Sequence, residues 1–296
     1  RLSGAAGLMP DRLLICTDLD RTLIPNGPQP ESAAARDHFG RLVARPEVTL
    51  AYVSGRDRAL VEAALDRYHL PLPDFVLGDV GTSIYHLGPG LDWQHQPIWE
   101  AEIGQDWNGL SRSDLEQNLR HLPCLQLQET TRQKKYKLSY YLPLQADRTV
   151  LARRIEEAVE PLGVRLRLVW SVDEEAGTGL LDVLPARASK YHAVEALMQQ
   201  QGFSLADTVF CGDSGNDMEV LVSPIAAVLV ANSPADVQTL ARRLAAAAGQ
   251  ADRLYLARGN FRGLNGNYSA GILEGVAHYF PDTIPWMGFA EEASRA

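Results

Sequence analysis

The stretch LLICTDLDRT, residues 13–22, joins a short apolar run directly to two carboxylates. Its apolar part is too short for a helix and is typical of a buried strand in a parallel sheet. Asp18 and Asp20 follow at the point where this strand would end. The stretch therefore predicts a buried strand that delivers acidic side chains to one edge of a sheet.

The segments that follow alternate between helix-like and strand-like patterns. A helical pattern at 31–45 precedes an apolar run at 48–53, and a second helical pattern at 57–68 precedes a short apolar run at 75–77. This β-α-β-α-β order implies right-handed crossovers. It predicts an α/β fold whose core is a Rossmann-like, doubly wound parallel sheet.

The pattern changes near residue 86. Strand-like runs at 137–143, 165–172 and 180–184 are less uniformly apolar than the first set. Such runs are typical of a sheet with one face in water. We therefore predict an inserted α+β domain over residues 86–183.

The α/β pattern returns after the insertion. A helical pattern at 189–201 is followed by an apolar run at 208–211, which ends in the motif GDSGND. We predict that residues 10–85 and 184–282 form one core, interrupted by the insertion.

Composition excludes several classes of protein. The chain has 296 residues, of which 46% are apolar and 22% charged, with a net charge of −9 and no dense Lys/Arg run. We therefore expect neither nucleic-acid nor membrane-surface binding. Residues 1–9 lack the apolar segment of a signal peptide. Cys16, Cys124 and Cys211 form no zinc or disulfide pattern, so we expect a reduced, cytoplasmic setting.

Polar clusters follow three of the predicted core strands. They are Asp18/Asp20/Thr22, Ser54/Arg56 and Asp213/Asp217. The carboxyl ends of parallel strands form the ligand-binding edge of an open sheet. Four carboxylates there would repel one another unless a cation lies among them. Oxygen ligands without nearby His or Cys point to Mg²⁺ rather than zinc.

Each cluster alone also has an ordinary structural explanation. Asp18 and Asp20 could form a turn after the strand, or they could attack a phosphoryl group and shuttle its proton. Ser54 could simply begin a helix, or it could seat a phosphate beside free N–H groups. Lys190 alone is typical of solvated surface. The motif at 212–217 could be a turn, although its two Asp residues suit a metal-binding loop.

Taken together, the order DxDxT, Ser-Gly-Arg, Lys and GDSGND resembles the haloacid dehalogenase superfamily of phosphatases. The resemblance covers nearly the whole chain, and the insertion falls where that superfamily carries a cap of the second type (C2B). It implies a phosphoric monoester hydrolase that uses Mg²⁺ and forms an aspartyl-phosphate intermediate.

The resemblance also implies a role for each motif residue. Asp18 would be the nucleophile, and Asp20 the general acid and then the base for water. Lys190 would neutralise the transferring phosphoryl group. The phosphate would be held by Thr22, Ser54, Gly55 and Lys190, and Mg²⁺ by Asp18, the Asp20 carbonyl, Asp213 and, through water, Asp217.

Within the superfamily the chain looks most similar to the sucrose-phosphate phosphatase branch. The supporting segments are residues 14–22, 79–85, 136–141, 212–221 and 269–274. The resemblance implies hydrolysis of a small sugar phosphate, with sucrose 6-phosphate as the first candidate. Mannosylfructose-phosphate, glucosylglycerol-phosphate and mannosyl-3-phosphoglycerate are the alternatives. An upstream glycosyltransferase synthase is a candidate partner.

The cap would supply sugar-binding side chains. Lys137 matches a sugar-binding lysine of the branch, and Tyr136 and Tyr140 are further candidates because aromatic rings stack on sugars; either ring could instead belong to the cap core. One departure leaves the sugar open: Ser83 stands where sucrose phosphatases tend to carry Glu.

Other functions fit the motifs less well. A dehalogenase would lack Asp20, and a phosphomutase would need a phosphorylated activator. A receiver domain would lack Lys190, the GDSGND motif and the insertion. A non-catalytic sugar-phosphate-binding protein would not need the complete set of motif residues.

Overall fold

The computed structural model describes residues 11–173 and 175–290, which form two β-sheets with helices around them. The strands are β1 (Leu13–Thr17), β2 (Val48–Val53), β3 (Phe75–Gly78), β4 (Ser83–Gly88), β5 (Asp92–His95), β6 (Gln126–Leu127), β7 (Leu138–Leu142), β8 (Leu166–Asp173), β9 (Thr178–Pro185), β10 (Thr208–Gly212), β11 (Ala226–Leu229) and β12 (Leu254–Leu256).

The helices alternate with strands in the first and last thirds of the chain. They are α1 (Ala35–Val43), α2 (Arg58–Tyr68), α3 (Pro97–Gly104), α4 (Arg112–Leu119), α5 (Arg148–Val159), α6 (Lys190–Gln201), α7 (Met218–Leu221), α8 (Ala235–Ala247) and α9 (Ser269–Tyr279). In the part of the chain that the structure describes, no helix is both long and apolar enough to cross a membrane.

The larger sheet has the strand order β12-β11-β10-β1-β2-β3-β4-β5. The strands from β12 to β3 are parallel, and β4 and β5 continue the sheet as antiparallel strands. β1 lies in the middle, between β10 and β2, and all five of its residues are buried. The predicted α/β core with a parallel sheet is confirmed.

Burial on both faces explains the uninterrupted apolar run of β1. Leu13 and Ile15 pack into the cluster that contains residues of α1 and α9, whereas Leu14 and Cys16 pack into the cluster that contains residues of α6. Successive side chains of a strand point to opposite faces, so a sheet covered on both sides needs apolar residues at every position.

Two helix caps fix the loops next to the parallel strands. The Asp57 carboxylate accepts a hydrogen bond from the Leu60 N–H at 3.0 Å and begins α2. The Ser189 hydroxyl accepts one from the His192 N–H at 3.1 Å and begins α6. Such N-caps satisfy donors that the first helical turn leaves free. They fix the Ser54–Arg56 loop just before α2 and Lys190 at the first position of α6.

The smaller sheet, in the order β6-β7-β9-β8, is antiparallel. Leu138, Tyr140 and Leu142 of β7 point to one face and pack against residues of α4 and α5. This period of two explains why β7 is less uniformly apolar than β1.

The predicted start of the insertion, residue 86, lies inside β4. β4 and β5 belong to the larger sheet, since Val76 of β3 pairs with Tyr85 and Leu87 pairs with Trp93. Placing residues 86–95 outside the core sheet was therefore wrong. The hairpin mixes polar and aromatic residues, which concealed the strands. The assignment of catalytic and cap roles to the two parts stays a prediction.

Candidate active site

Three loops meet at the carboxyl edge of the larger sheet. Asp18 directly follows β1, Ser54 follows β2 and Asp213 follows β10. The Asp18 N–H donates to the Cys211 carbonyl at 2.9 Å, and the Ser54 N–H donates to the Leu77 carbonyl at 2.9 Å. The Asp18 and Ser54 loops therefore leave their strands while still hydrogen-bonded to a neighbouring strand.

Three carboxylates form a buried cluster at this edge. Asp18, Asp213 and Asp217 each place an oxygen within 4.8 Å of the others. Their exposed fractions are 6%, 4% and 0%. The buried hydroxyl of Thr22 donates to Asp213 Oδ1 at 3.2 Å. The structure thus brings together four of the residues that the motifs predicted.

Lys190 enters the cluster from the start of α6. Its Nζ lies 3.2 Å from Asp18 Oδ1 and 2.7 Å from Asp217 Oδ1, and the residue is 6% exposed. Burial would lower the pKa of Lys190, but Asp18 and Asp217 outweigh it and hold that pKa above its usual range. The burial of Lys190 rules out the ordinary alternative, a solvated surface lysine.

The cluster has more negative charge than one lysine neutralises. Burial raises the pKa of Asp18 to about 8, against the effect of Lys190 and with the help of Asp217 and Asp213. Burial, followed by the charge of Asp217, raises the pKa of Asp213 to about 6. A divalent cation with oxygen ligands fits such a site, because it would stabilise the ionised carboxylates.

The GDSGND loop is folded around Asp217. Asp217 Oδ2 accepts the N–H groups of Asp213 at 3.0 Å and Ser214 at 3.2 Å. A Cβ on Gly212 would lie 2.5 Å from the same oxygen, so only glycine leaves room for it. With Oδ1 held by Lys190 as well, Asp217 braces the loop that carries Asp213.

Asp20 lies outside the three-carboxylate cluster and pairs with Arg56. Arg56 Nη2 and Nε donate to its two oxygens at 2.7 and 2.8 Å, and the Asn26 amide adds a donor at 2.8 Å. Burial raises the pKa of Asp20, but Arg56 and Asn26 outweigh it and keep the pKa below its usual value. Sequence reasoning noted Arg56 in the Ser-Gly-Arg motif but gave it no role.

The Ser54 loop lies beside this ion pair. Ser54 is 1% exposed, and its hydroxyl accepts the Arg56 N–H at 3.1 Å. A hydroxyl that accepts in this way keeps its own hydrogen for an anionic ligand. Gly55 is exposed, and within the described residues no atom lies within 4 Å of the position its Cβ would take.

The three predicted sugar-binding residues of the smaller domain separate into two groups. Tyr140 is 3% exposed in the hydrophobic core of that domain, and Tyr136 packs edge-on against Trp107 at 5.4 Å. The structure therefore corrects the expectation that Tyr140 faces a ligand. Lys137, which directly precedes β7, instead places its Nζ 3.8 Å from Asp182 Oδ1.

Comparison with known proteins gives the family. The family model described as sucrose-6F-phosphate phosphohydrolase matches residues 11–280. The chain belongs to this family. The sucrose-6F-phosphate phosphohydrolase family lies within the haloacid dehalogenase superfamily, so the predicted resemblance is confirmed.

The relatives differ in how much of their length the chain covers. A HAD-like hydrolase of Nitrosococcus oceani is 49% identical over 97% of this chain and 76% of its own length. Sucrose-phosphatase 1 of Nicotiana tabacum is 27% identical, and the chain spans only 61% of it. Mannosylfructose-phosphate phosphatase of Agrobacterium fabrum is 28% identical over 78% of this chain and 87% of its own length.

A solved structure supports the family assignment. The sucrose-phosphatase of Synechocystis, crystallised with sucrose and phosphate, superposes with a TM-score of 0.70 at 26% identity. The match covers 90% of this chain and 98% of that chain. Phosphatases of the superfamily generally use Mg²⁺, and the three-carboxylate cluster suits it.

Proposed function

We propose that the chain is a Mg²⁺-dependent phosphatase that hydrolyses a sugar phosphate through an aspartyl-phosphate on Asp18, with sucrose 6F-phosphate as the first candidate. The observation that carries the proposal is the placement of the buried Lys190 ammonium between Asp18 and Asp217, beside Asp213. A nucleophilic carboxylate, a fixed cation and a metal-ligand set then share one strand edge.

In the first half of the reaction, an Asp18 oxygen attacks phosphorus and the bond from phosphorus to the sugar oxygen breaks. Asp20 protonates that oxygen as it leaves. The ion pair with Arg56 opposes this step, because it holds the pKa of Asp20 low. Arg56 must therefore loosen its hold on Asp20 when the phosphate enters.

In the second half, water attacks the aspartyl-phosphate and Asp20 accepts its proton. The P–O bond to Asp18 breaks, which frees inorganic phosphate. Lys190, whose Nζ lies 3.2 Å from Asp18, donates to the charged phosphoryl oxygens in both halves, and the hydroxyls of Ser54 and Thr22 add further donors once the phosphate is bound. Mg²⁺ would be held by Asp18, the Asp20 carbonyl and Asp213, with Asp217 behind them, and would neutralise the charge that develops on the phosphoryl group.

The sugar is the finer part of the proposal. The family model and the Synechocystis structure support sucrose 6F-phosphate. The Agrobacterium fabrum relative is as similar to this chain as the tobacco sucrose-phosphatase, at 28% against 27% identity. Mannosylfructose-phosphate is therefore the second candidate. The upstream glycosyltransferase stays a predicted partner.

Phosphate release from a panel of sugar phosphates, with Mg²⁺ or with excess EDTA, tests the proposal. We expect one disaccharide phosphate to be hydrolysed only with Mg²⁺ and only by protein that retains Asp18. Asp18→Asn should abolish release, whereas Asp66→Asn, an exposed carboxylate on α2, should not change it. Absence of release from every sugar phosphate by the wild-type protein would contradict the proposal.

A further inference from the structure

A groove of about 580 Å³ adjoins the Ser54–Arg56 loop. The first turn of α2 and the hairpin of β3 and β4 line it from the larger sheet, and Lys134 and Lys135 reach it from the insertion. The Asp79 N–H, at the floor of the hairpin, donates to the Arg56 carbonyl at 2.9 Å. Because Arg56 also binds Asp20, it connects the groove to the proposed general acid.

Asp79 is a buried carboxylate with an unused oxygen. It is 3% exposed, and its Oδ2 accepts a long hydrogen bond from the Ser83 hydroxyl at 3.4 Å. Within residues 11–173 and 175–290, no hydrogen-bond partner reaches Oδ1. Leaving a buried carboxylate oxygen without a hydrogen-bond partner costs free energy. An unpaired oxygen at such a position therefore points to a ligand that binds there.

The backbone around Asp79 is strained. Asp79, Val80 and Gly81 have consecutive φ angles of 51°, 61° and 89°. This region suits glycine, but it is a genuine outlier for a β-branched residue such as Val80. A Cβ on Gly81 would lie 2.4 Å from the Ser189 carbonyl oxygen, so the hairpin also packs tightly against the start of α6. Backbone strain of this kind is retained where a binding or catalytic site requires that particular geometry.

The charges of the groove leave Asp79 as the available acceptor. Four carboxylates line it, against three Lys or Arg side chains. The three cations pair with the other acids, as Arg58–Glu62 at 2.9 Å, Lys134–Asp57 at 3.6 Å and Lys135–Glu100 at 3.3 Å. Among the described residues, Asp79 is the groove carboxylate that belongs to no such pair.

Burial raises the pKa of Asp79, and the charges of Lys137 and then Lys134 oppose that rise. Both lysines come from the insertion, so Asp79 faces that domain across the groove. The Asp79 carboxylate is an unpaired acceptor surrounded by charges that are already paired. Such an acceptor suits a neutral ligand with many hydroxyl groups, which can donate hydrogen bonds to it. It would repel an anionic ligand, since the Lys and Arg side chains among the described residues of the groove are already paired.

We propose that Asp79 is a specificity-determining residue: its free oxygen accepts hydrogen bonds from hydroxyl groups of the neutral, polyhydroxylated alcohol that leaves phosphate in the reaction. This inference rests on the proposed function, because it assigns the leaving group of that reaction to the groove.

Steady-state kinetics with saturating Mg²⁺ test the assignment in three proteins: wild type, Asp79→Asn and the exposed control Asp66→Asn. The substrates are sucrose 6F-phosphate, or the sugar phosphate of the panel that turns over fastest, and p-nitrophenyl phosphate, whose leaving group has no sugar hydroxyls. We expect Asp79→Asn to lower kcat/KM for the sugar phosphate at least about tenfold, mainly through KM. Turnover of p-nitrophenyl phosphate should stay within about twofold of wild type.

Equal losses on both substrates would show that Asp79 only supports the fold, and an unchanged KM for the sugar phosphate would show that it does not touch the leaving group. Either result overturns the inference while leaving the proposed function standing. Wild-type protein that hydrolyses p-nitrophenyl phosphate but no sugar phosphate would overturn both.

A comparison that needs no variant tests the charge argument. Glycerol 3-phosphate and 3-phosphoglycerate differ by a hydroxymethyl group against a carboxylate. We expect the wild-type protein to favour glycerol 3-phosphate by at least about tenfold in kcat/KM, because the Lys and Arg side chains among the described groove residues are already paired. A preference for 3-phosphoglycerate would overturn the inference.

Discussion

Arg56 binds both carboxylate oxygens of Asp20, through Nη2 at 2.7 Å and Nε at 2.8 Å. A fork of this kind is among the stronger side-chain pairs, because two charge-assisted hydrogen bonds form in one plane. It keeps Asp20 ionised and oriented in this structure. An ionised carboxylate is ready to act as a base but must gain a proton before it can act as an acid.

Replacing Arg56 should make Asp20 less acidic. In Arg56→Gln we expect the pKa of Asp20 to rise towards its ordinary value of about 3.9, which NMR titration of the carboxyl carbon would measure. Arg153→Gln, which breaks an exposed pair with Glu157, is the matched control. An unchanged Asp20 titration in Arg56→Gln would contradict the role of the ion pair.

The same substitution should have a small, pH-dependent effect on stability. A lowered folded-state pKa stabilises the fold above the unfolded-state value, and that stabilisation is lost as the pH falls through the folded-state value. Because the Asp20 side chain is 41% exposed, Arg56→Gln should cost at most about 1 kcal/mol at pH 7. The difference from wild type in urea unfolding should shrink as the pH drops below about 4.

Removing Asp20 should separate the two halves of the reaction. With p-nitrophenyl phosphate the leaving group needs no proton, so Asp20→Asn should still form the aspartyl-phosphate but release it slowly. We expect a burst of one p-nitrophenol per protein, followed by turnover about 10²–10⁴-fold slower than wild type. A rapid-quench experiment measures the burst. Full steady-state turnover in Asp20→Asn would contradict the role of Asp20 as the base.

The parallel core was predictable because its physical signal is local. A strand buried on both faces is apolar along its length, so β1 is visible as four consecutive apolar residues, and the polar ends of such strands locate the site. The β4–β5 hairpin has no such run, and Tyr140 could not be assigned from its type alone. Tyr140 is buried because alternate residues of β7 pack against α4 and α5, two helices that the sequence did not reveal.

The contacts within the site were predictable only in part. DxDxT and GDSGND each identify acids near a strand end, but the burial of Lys190 depends on where α6 begins in space. Asp79 belongs to no catalytic motif. It stands out because no described residue forms a hydrogen bond with its Oδ1. Only the folded chain shows that Ser83, four residues away, is its one side-chain neighbour within hydrogen-bonding range among the described residues.

Lys190 should stabilise the metal-free protein as well as the reaction. Lys190→Met would leave three buried carboxylates without their ammonium, and losing one partner of a buried ionic network costs about 3–5 kcal/mol. Urea unfolding at pH 8 with EDTA should show this loss, and Mg²⁺ should restore part of it. Lys135→Met, at an exposed lysine, is the control for stability. Equal stability of Lys190→Met and wild type would contradict the central position of Lys190.

Metal binding should release protons. Because burial raises the pKa of Asp18 to about 8, the metal-free protein carries a proton there at pH 7, and this site loses stability as the pH rises towards 8. Mg²⁺ needs the carboxylate, so its Kd should fall by up to about tenfold per pH unit between pH 6 and 8. Titration calorimetry in two buffers of different ionisation enthalpy measures the released protons. A Kd independent of pH would contradict the raised pKa.

Gly212 should be indispensable for the position of Asp217. In Gly212→Ala the new methyl group would lie 2.5 Å from Asp217 Oδ2, so the carboxylate has to leave the N–H groups of Asp213 and Ser214. We expect a loss of about 1–3 kcal/mol in stability and at least about tenfold weaker Mg²⁺ binding, measured by urea unfolding and calorimetry. Gly40→Ala, where a Cβ meets no described atom within 4 Å, should cost nothing, because alanine favours the interior of α1. If Gly212→Ala matched Gly40→Ala in both measurements, Asp217 would not depend on the glycine, and the GDSGND loop would tolerate a side chain at its first position.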